Sequence, residues 1–163
     1  MKTLCLLSML GLLLAIPLSA QGWVLGTSYY GMPCRSWSGG MSFITAGQTK
    51  SPGDRIEVQL QQKGYGQSPP IQHILLIGHK AHHFGALGVP VLPGCILLAW
   101  PDVPLLLGKN TGAKIILPMN PKLHGTTLYL QMVLYEVGSI TYPRHVQAIS
   151  FSDAARVTLN WKK

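Results

Sequence analysis

Apolar and polar residues alternate at every second position along several stretches of this chain. Over residues 55–61, Ile56, Val58 and Leu60 fall on one side and polar residues fall on the other. The same period of two runs through residues 126–137 and again through residues 156–161. Because successive side chains of a β-strand point to opposite faces, this pattern predicts strands that each bury one face.

Two further stretches, residues 71–77 and 95–100, are apolar almost throughout. Such runs are typical of central strands that are covered on both faces. Residues 41–45 and 114–117 are shorter strand candidates, and turn signals rich in Pro, Gly and Asn separate all these runs. The chain after residue 20 therefore predicts an all-β fold. We expect one antiparallel β-sandwich of jelly-roll type, with about seven to nine strands, over residues 21–163.

The first twenty residues follow a different pattern. Lys2 precedes an apolar run, Pro17 ends that run, and the small residues Ser19 and Ala20 stand before Gln21. This is the arrangement of a secretory signal peptide. An uncleaved anchor is the alternative, but the run of about 13 residues is shorter than the roughly 20 that a spanning helix needs. We expect cleavage before Gln21, no membrane span in the mature chain, and a secreted, periplasmic or cell-surface location.

Removal of residues 1–20 leaves two of the three cysteines, Cys34 and Cys95. In an oxidising compartment the simplest expectation is one disulfide between them. Two separate buried thiols are the alternative. A zinc site is weakly supported, because neither cysteine has a second cysteine at the usual short spacing.

The charge of the chain adds little to the prediction of its function. Lys and Arg number 13 against 5 Asp and Glu, which gives a net charge of +8, yet only 11% of residues are charged. The basic residues are scattered, whereas a nucleic-acid site normally clusters them, so no specific nucleic-acid binding is expected. Diffuse positive charge suits contact with an anionic polysaccharide or a cell-surface component. The plainer interpretation of this charge is solubility.

Several short motifs also occur in a characteristic order. They are Tyr30-Gly31-Met32-Pro33-Cys34, Ile74-Leu75-Leu76-Ile77-Gly78, Pro93-Gly94-Cys95, Leu128-Tyr129-Leu130-Gln131 and Ser152-Asp153-Ala154. In this order they resemble a largely uncharacterised domain that recurs in secreted exoproteins of planctomycete-type and related bacteria. The resemblance covers most of residues 26–160. It implies a secreted β-rich fold, supports the pairing of Cys34 with Cys95, and brings no catalytic residues. This chain departs from the domain in carrying Asp153, where Asn is usual.

The densest set of metal-ligating side chains is His79, His82 and His83, which follow an apolar strand and are expected in a loop. Imidazoles at this spacing bind zinc, copper or nickel. A functional site would need a further ligand, for which the other histidines of the chain are candidates: His73, His124 and His145. Lys80 would repel a cation, so a plain polar loop is the simpler interpretation. A metal-binding or metal-dependent secreted protein is the alternative function.

Catalytic motifs are missing from the sequence. It has no nucleophile elbow, no phosphate-binding glycine loop and no HExxH helix, and its five carboxylates, Asp54, Glu57, Asp102, Glu136 and Asp153, stand outside any catalytic motif. We therefore expect neither an enzyme nor a cofactor.

The aromatic residues indicate a function more clearly than the histidines or the carboxylates do. Trp23, Tyr29, Tyr30 and Trp37 lie close together in sequence near the mature N-terminus, with Arg35 among them. Exposed rings of this kind stack on sugars and on cationic groups, although the simpler interpretation is that these residues cap the sandwich core or flank the disulfide. The leading hypothesis is a secreted, non-catalytic module that acts by surface contact, in adhesion, in the cell envelope or in carbohydrate binding. The sequence does not indicate an oligomeric state.

Overall fold

The computed structural model describes residues 21–36, 39–64, 72–84, 95–137 and 147–163. Of residues 83, 84, 136, 137, 147 and 148 it describes the backbone only. The predicted signal peptide, Trp37, His145 and the side chains of His83 and Glu136 lie outside the described part.

All described regular structure is β-strand apart from one 3₁₀ turn at Pro121–Leu123. The strands are β1 (Gly22–Tyr30), β2 (Met41–Gly47), β3 (Arg55–Lys63), β4 (Gln72–Gly78), β5 (Ala81–Phe84), β6 (Leu97–Ala99), β7 (Val103–Gly108), β8 (Gly112–Ile116), β9 (Thr127–Val137) and β10 (Gln147–Lys162). They form three antiparallel sheets with the orders β1-β10-β9-β4-β7, β2-β3-β8 and β5-β6. The all-β, antiparallel class is confirmed, although the described residues alone hold ten strands in three sheets.

The main core lies between the five-stranded and the three-stranded sheet. The alternating residues of β3 and β9 supply its centre, as their pattern predicted. Burial of such side chains contributes about 1.5–3 kcal/mol each. The largest fully buried members from these and neighbouring strands are Trp23, Ile44, Ile56, Leu75, Leu130, Met132, Leu134 and Leu159. Trp161, predicted to face inward, is partly buried and packs against this core.

The opposite face of the five-stranded sheet, which we call the outer face, carries a second and smaller core. Cys34, Cys95, Leu76, Leu97 and Phe151 form it. Apolar cover on both faces of β4 therefore explains its nearly continuous apolar sequence, as predicted. The prediction for residues 95–100 was wrong in one respect. Only three of these residues form a strand, β6, which pairs with β5 and packs across the outer face instead of lying within the main sheet.

Side chains close the corner where the two large sheets meet. The Tyr29 hydroxyl donates to the Ala46 carbonyl and accepts from the Ala46 N–H, at 3.2 and 3.1 Å. Gln48 accepts from the Leu25 N–H and donates to the Trp23 carbonyl, both at 3.0 Å. These bonds occupy backbone groups that strands β1 and β2 would otherwise leave open.

A partly buried carboxylate ties β10 to the same corner. Asp153 accepts a hydrogen bond from the Ile44 N–H at 2.7 Å. Burial raises the pKa of this carboxyl above its ordinary value, and the Ile44 bond only partly opposes that rise. The stability that Asp153 contributes is therefore fully present below its ordinary pKa and is lost as the pH rises through the raised pKa.

Asp153→Asn should therefore stabilise the protein at neutral pH. The amide oxygen can still accept from Ile44, and the cost of burying a charge disappears. Because the group is only partly buried, we expect less than about 1 kcal/mol of gain in the free energy of unfolding. Urea titrations at neutral pH and below the ordinary carboxyl pKa would measure it, and the gain should fade at the acidic pH.

Asp54→Asn is the matched control for this prediction. The pKa of exposed Asp54 is lowered, chiefly by its hydrogen bond from Arg55, so this variant should lose stability at neutral pH. A gain from Asp153→Asn that persists unchanged in acid would contradict the assigned cause.

Candidate functional site

The structure separates the aromatic residues that sequence grouped together. Trp23 is 0% exposed, its ring meets that of Trp161 edge-on at 4.9 Å, and its indole N–H donates to the Pro118 carbonyl at 3.1 Å. The Trp23 side chain, proposed from sequence as a possible ligand contact, therefore points from β1 into the main core.

Tyr29 and Tyr30 are successive residues of one strand, so their side chains lie on opposite faces of the sheet. Tyr29, 49% exposed, bonds across to β2 on the side of the main core. Tyr30 lies on the outer face, and Arg35 is exposed beyond the end of β1. Among the described members of the predicted contact set, Tyr30 and Arg35 therefore remain on or beside the outer face.

The predicted disulfide between Cys34 and Cys95 is present, with Cα atoms 4.9 Å apart. The Cys34 N–H donates to the Phe151 carbonyl, and the Phe151 N–H donates to Cys34 Sγ, each at 3.0 Å. The bridge joins residues 31–36 to residues 95–99, and together we call these two segments the flap. The flap covers one half of the outer face.

Gly31 allows the chain to turn from β1 into the flap. Its φ of +73° is in the left-handed region that favours glycine. A Cβ placed there would stand 2.2 Å from Leu98 Cδ1, so any larger residue would press against β6. Gly31 therefore packs closely on Leu98, which holds the two segments of the flap together.

Gln131 of β9 is 0% exposed and hydrogen-bonds the flap from the outer face of the sheet. Its Oε1 accepts from the N–H groups of Leu98 and Ala99 at 2.7 and 3.3 Å. Its Nε2 donates to the carbonyls of Ile96 and Ser152 at 3.0 and 2.9 Å. One side chain thus supplies the backbone partners that β6 lacks because it lies outside the main sheet.

The other half of the outer face stays open. Here Arg156 of β10 stands between Ser28 of β1 and Tyr129 of β9 in the strand register. Their chain neighbours Ala155, Val157 and Leu130 face the main core, so these polar side chains face outward. We call this patch the open outer face: Ser28, Thr127, Tyr129, Arg156, Thr158 and Asn160.

Tyr30 marks the border between the flap and the open outer face. Its ring meets that of Tyr129 edge-on, with centroids 6.1 Å apart, and its hydroxyl donates to the Leu98 carbonyl at 2.7 Å. Burial, and to a lesser degree Tyr129, raises the pKa of Tyr30 to about 12. The Tyr30 hydroxyl therefore stays protonated at neutral pH, and its bond to the Leu98 carbonyl holds the Tyr30 ring beside that of Tyr129.

Sequence reasoning missed Tyr129 and Arg156 as candidate site residues. The alternation of apolar and polar residues already predicts that Tyr129 and Arg156 lie on the faces of their strands that point away from the core. The sequence pattern does not give the register of β9 against β10, and this register places Tyr129 directly beside Arg156. The strand pairing creates the site from two residues that lie far apart in sequence.

A shallow apolar depression of about 430 Å³ opens on the flap. Met32, 84% exposed, and Ile96 line it together with Arg35 and the disulfide residue Cys34. Exposed apolar side chains beside a guanidinium give the flap an amphipathic edge.

The predicted histidine set does not come together as one site in the described residues. His79 Nδ1 lies 2.5 Å from Asp102 Oδ2, and the backbone N–H of His79 also donates to that oxygen at 2.8 Å. These bonds lower the pKa of Asp102. His82 is buried in β5 with its ring edge-on to Trp100 at 4.8 Å, while Lys80 lies over the same indole at 4.3 Å.

Two of the further histidines proposed as ligands, His73 and His124, lie in the described part and have other contacts. His73 is buried in β4, 3.2 Å from Gln62 Nε2, and burial lowers its pKa. His124 Nδ1 accepts from the Trp161 N–H at 3.0 Å. Within the part of the chain that the structure describes, no three His, Cys, Asp or Glu side chains are grouped to hold a metal ion.

Four of the five carboxylates are described, and each has a partner. Asp54 pairs with Arg55 and Glu57 with Lys114, at 3.0 and 3.4 Å. The other two, Asp102 and Asp153, make the bonds given above.

No known protein family, curated protein or solved structure matches this chain. Across the described ranges, no helix is long and apolar enough to cross a membrane. A disulfide is compatible with an extracytoplasmic location.

Proposed function

We propose that this protein is a secreted, non-catalytic module that binds an anionic polysaccharide on the open outer face. The observation that carries the proposal is the placement of Arg156 directly beside the ring of Tyr129, on adjacent strands of one sheet. This arrangement puts a permanent cation next to an aromatic surface.

The two side chains supply complementary chemistry. A sugar ring presents apolar C–H groups that pack on an aromatic face. A guanidinium donates paired hydrogen bonds to carboxylate or sulfate groups. Ser28, Thr158 and Asn160 add hydroxyl and amide groups of the kind that bond sugar hydroxyls.

Rigidity and charge support the same proposal. Tyr129 and Arg156 stand on two strands of the five-stranded sheet, so little backbone freedom is lost on binding. After residue 20 the chain holds 12 Lys and Arg against 5 Asp and Glu, and this excess of positive charge attracts an anionic polymer over distances longer than any contact. The disulfide suits an oxidising extracytoplasmic site, and residues 1–20 are proposed to direct the chain there.

Binding of the purified protein to immobilised anionic polysaccharides, compared with neutral ones, tests the proposal. Arg156→Ala should weaken binding about tenfold, because a charge-assisted hydrogen bond contributes about 1.5–3 kcal/mol. Tyr129→Ala should weaken it similarly, whereas Tyr129→Phe keeps the ring and should bind nearly as well as the parent protein.

Lys114→Ala is the matched control, because it removes one positive charge from β8 in the opposite sheet. Equal losses for Arg156→Ala and Lys114→Ala would indicate non-specific attraction and would refute the assigned surface. Absence of binding to every polysaccharide tested would refute the proposed ligand class.

A further inference from the structure

Strand β7 is an edge of the five-stranded sheet, with β4 as its single neighbour. The opposite edge, β1, is different, because Gln48 occupies two of its backbone groups. In the three-stranded sheet, Tyr29 and Asp153 bond the backbone of edge strand β2. No such side-chain cap is found on β7 among the contacts of the described residues.

The sequence of β7 also lacks the charged residues that usually protect an edge, and its protection is limited to Pro104 and a register shift between Leu106 and Gly108. Val103–Gly108 contains no charged residue. Val103 is 53% exposed, Leu105 39% and Leu106 64%. Exposed apolar edge strands pair readily with another strand, and charged residues normally prevent this. Edge strand β8, by contrast, carries Lys114.

We propose that β7 pairs antiparallel with β7 of a second copy of this chain. Charge complementarity points to this occupant, since exposed Asp102 and exposed Lys109 stand immediately before and after the strand. In a two-fold antiparallel pair centred on β7, Asp102 of each copy lies opposite, or within one residue of, Lys109 of the other copy. The contact therefore forms twice, with apolar side chains between the two ion pairs.

Asp102 remains able to make this contact. Both hydrogen bonds from His79 end on the Oδ2 oxygen of Asp102. They lower the pKa of Asp102 and so keep its carboxylate charged. The His79 contact thus holds a negative charge at the start of β7.

Three features of the protein limit the strength of this dimer: Pro104, the length of β7 and the net charge. Pro104 has no N–H, which removes one potential bond from the pair. A six-residue strand also buries less surface than the roughly 1,000 Å² typical of a stable interface. Both copies carry the same net positive charge. We therefore expect a reversible dimer with a dissociation constant of micromolar order or weaker.

Sedimentation equilibrium of the protein purified from a secreting host, over a range of concentrations at physiological ionic strength, tests this inference. The parent protein should show a concentration-dependent dimer. Leu106→Lys should weaken it at least tenfold, because it brings two like charges together in the pair. Ile116→Lys is the matched control, since Ile116 is 77% exposed on β8, and it should leave the dimer unchanged.

A charge exchange tests the pairing itself. Lys109→Asp should weaken the dimer, because two carboxylates then meet at each end of the pair, and adding Asp102→Lys should restore it. Circular dichroism would establish that each variant is folded. A parent protein that stays monomeric at every concentration would overturn the inference. A dimer lost with Ile116→Lys, or not restored by the exchange, would do the same.

Discussion

Gln131→Leu should lower the free energy of unfolding by about 4 kcal/mol, because it leaves several buried polar groups without partners. Leucine has a similar size but accepts no hydrogen bond from the N–H groups of Leu98 and Ala99. It also donates none to the carbonyls of Ile96 and Ser152. Each unsatisfied buried group costs about 1–3 kcal/mol, and local movement of the flap would relieve part of the total. Urea denaturation followed by circular dichroism measures the loss.

Gln61→Leu provides the control, because Gln61 is exposed on β3 and a surface change of this kind usually alters stability by less than about 0.5 kcal/mol. Gln131→Glu separates the two halves of the network. Its carboxylate still accepts from both N–H groups but repels the two carbonyls, so it should also destabilise. Similar small losses for Gln131→Leu and Gln61→Leu would show that Gln131 is not what fixes the flap.

The main core was predictable because its signal is local. In β3 and β9, residues of the main core alternate with polar or outward-facing residues, and that alternation alone identifies Ile56, Val58 and Met132 as core residues. The disulfide was also predictable, since only two cysteines follow the expected cleavage site. Neither inference required knowledge of strand order.

The outer face was not predictable, because it depends on contacts between distant segments. Gln131 and Tyr129 lie on the same face of β9, and both side chains carry polar groups. Gln131 is nevertheless buried, whereas Tyr129 lies at an open surface. The difference is the flap, whose position follows from the bridge between Cys34 and Cys95. Trp23 illustrates the converse error, since closeness in sequence to Tyr29 and Tyr30 says nothing about which face each residue occupies.

Replacement of both Cys34 and Cys95 by Ser should lower the free energy of unfolding by about 4 kcal/mol. The bridge closes a loop with a sequence separation of 61 residues, and the chain-entropy model assigns about that value to a loop of this length. The loss comes mainly from a less constrained unfolded chain. Urea titration of the double variant, and of the parent protein with and without a reductant, would measure it.

Local measurements distinguish this entropic loss from damage to the fold. Hydrogen exchange should accelerate most at the Leu98 and Ala99 amides, because the flap is then held by Gln131 and the second core alone. Amides of β3 should keep their order of protection relative to one another. Core amides of both large sheets, which exchange through global unfolding, should accelerate by a similar factor set by the stability loss. A stability loss below about 1 kcal/mol would contradict this role of the bridge. Weaker polysaccharide binding by the double variant would follow if flap opening frees Tyr30, whose bond to the Leu98 carbonyl holds it against the Tyr129 ring.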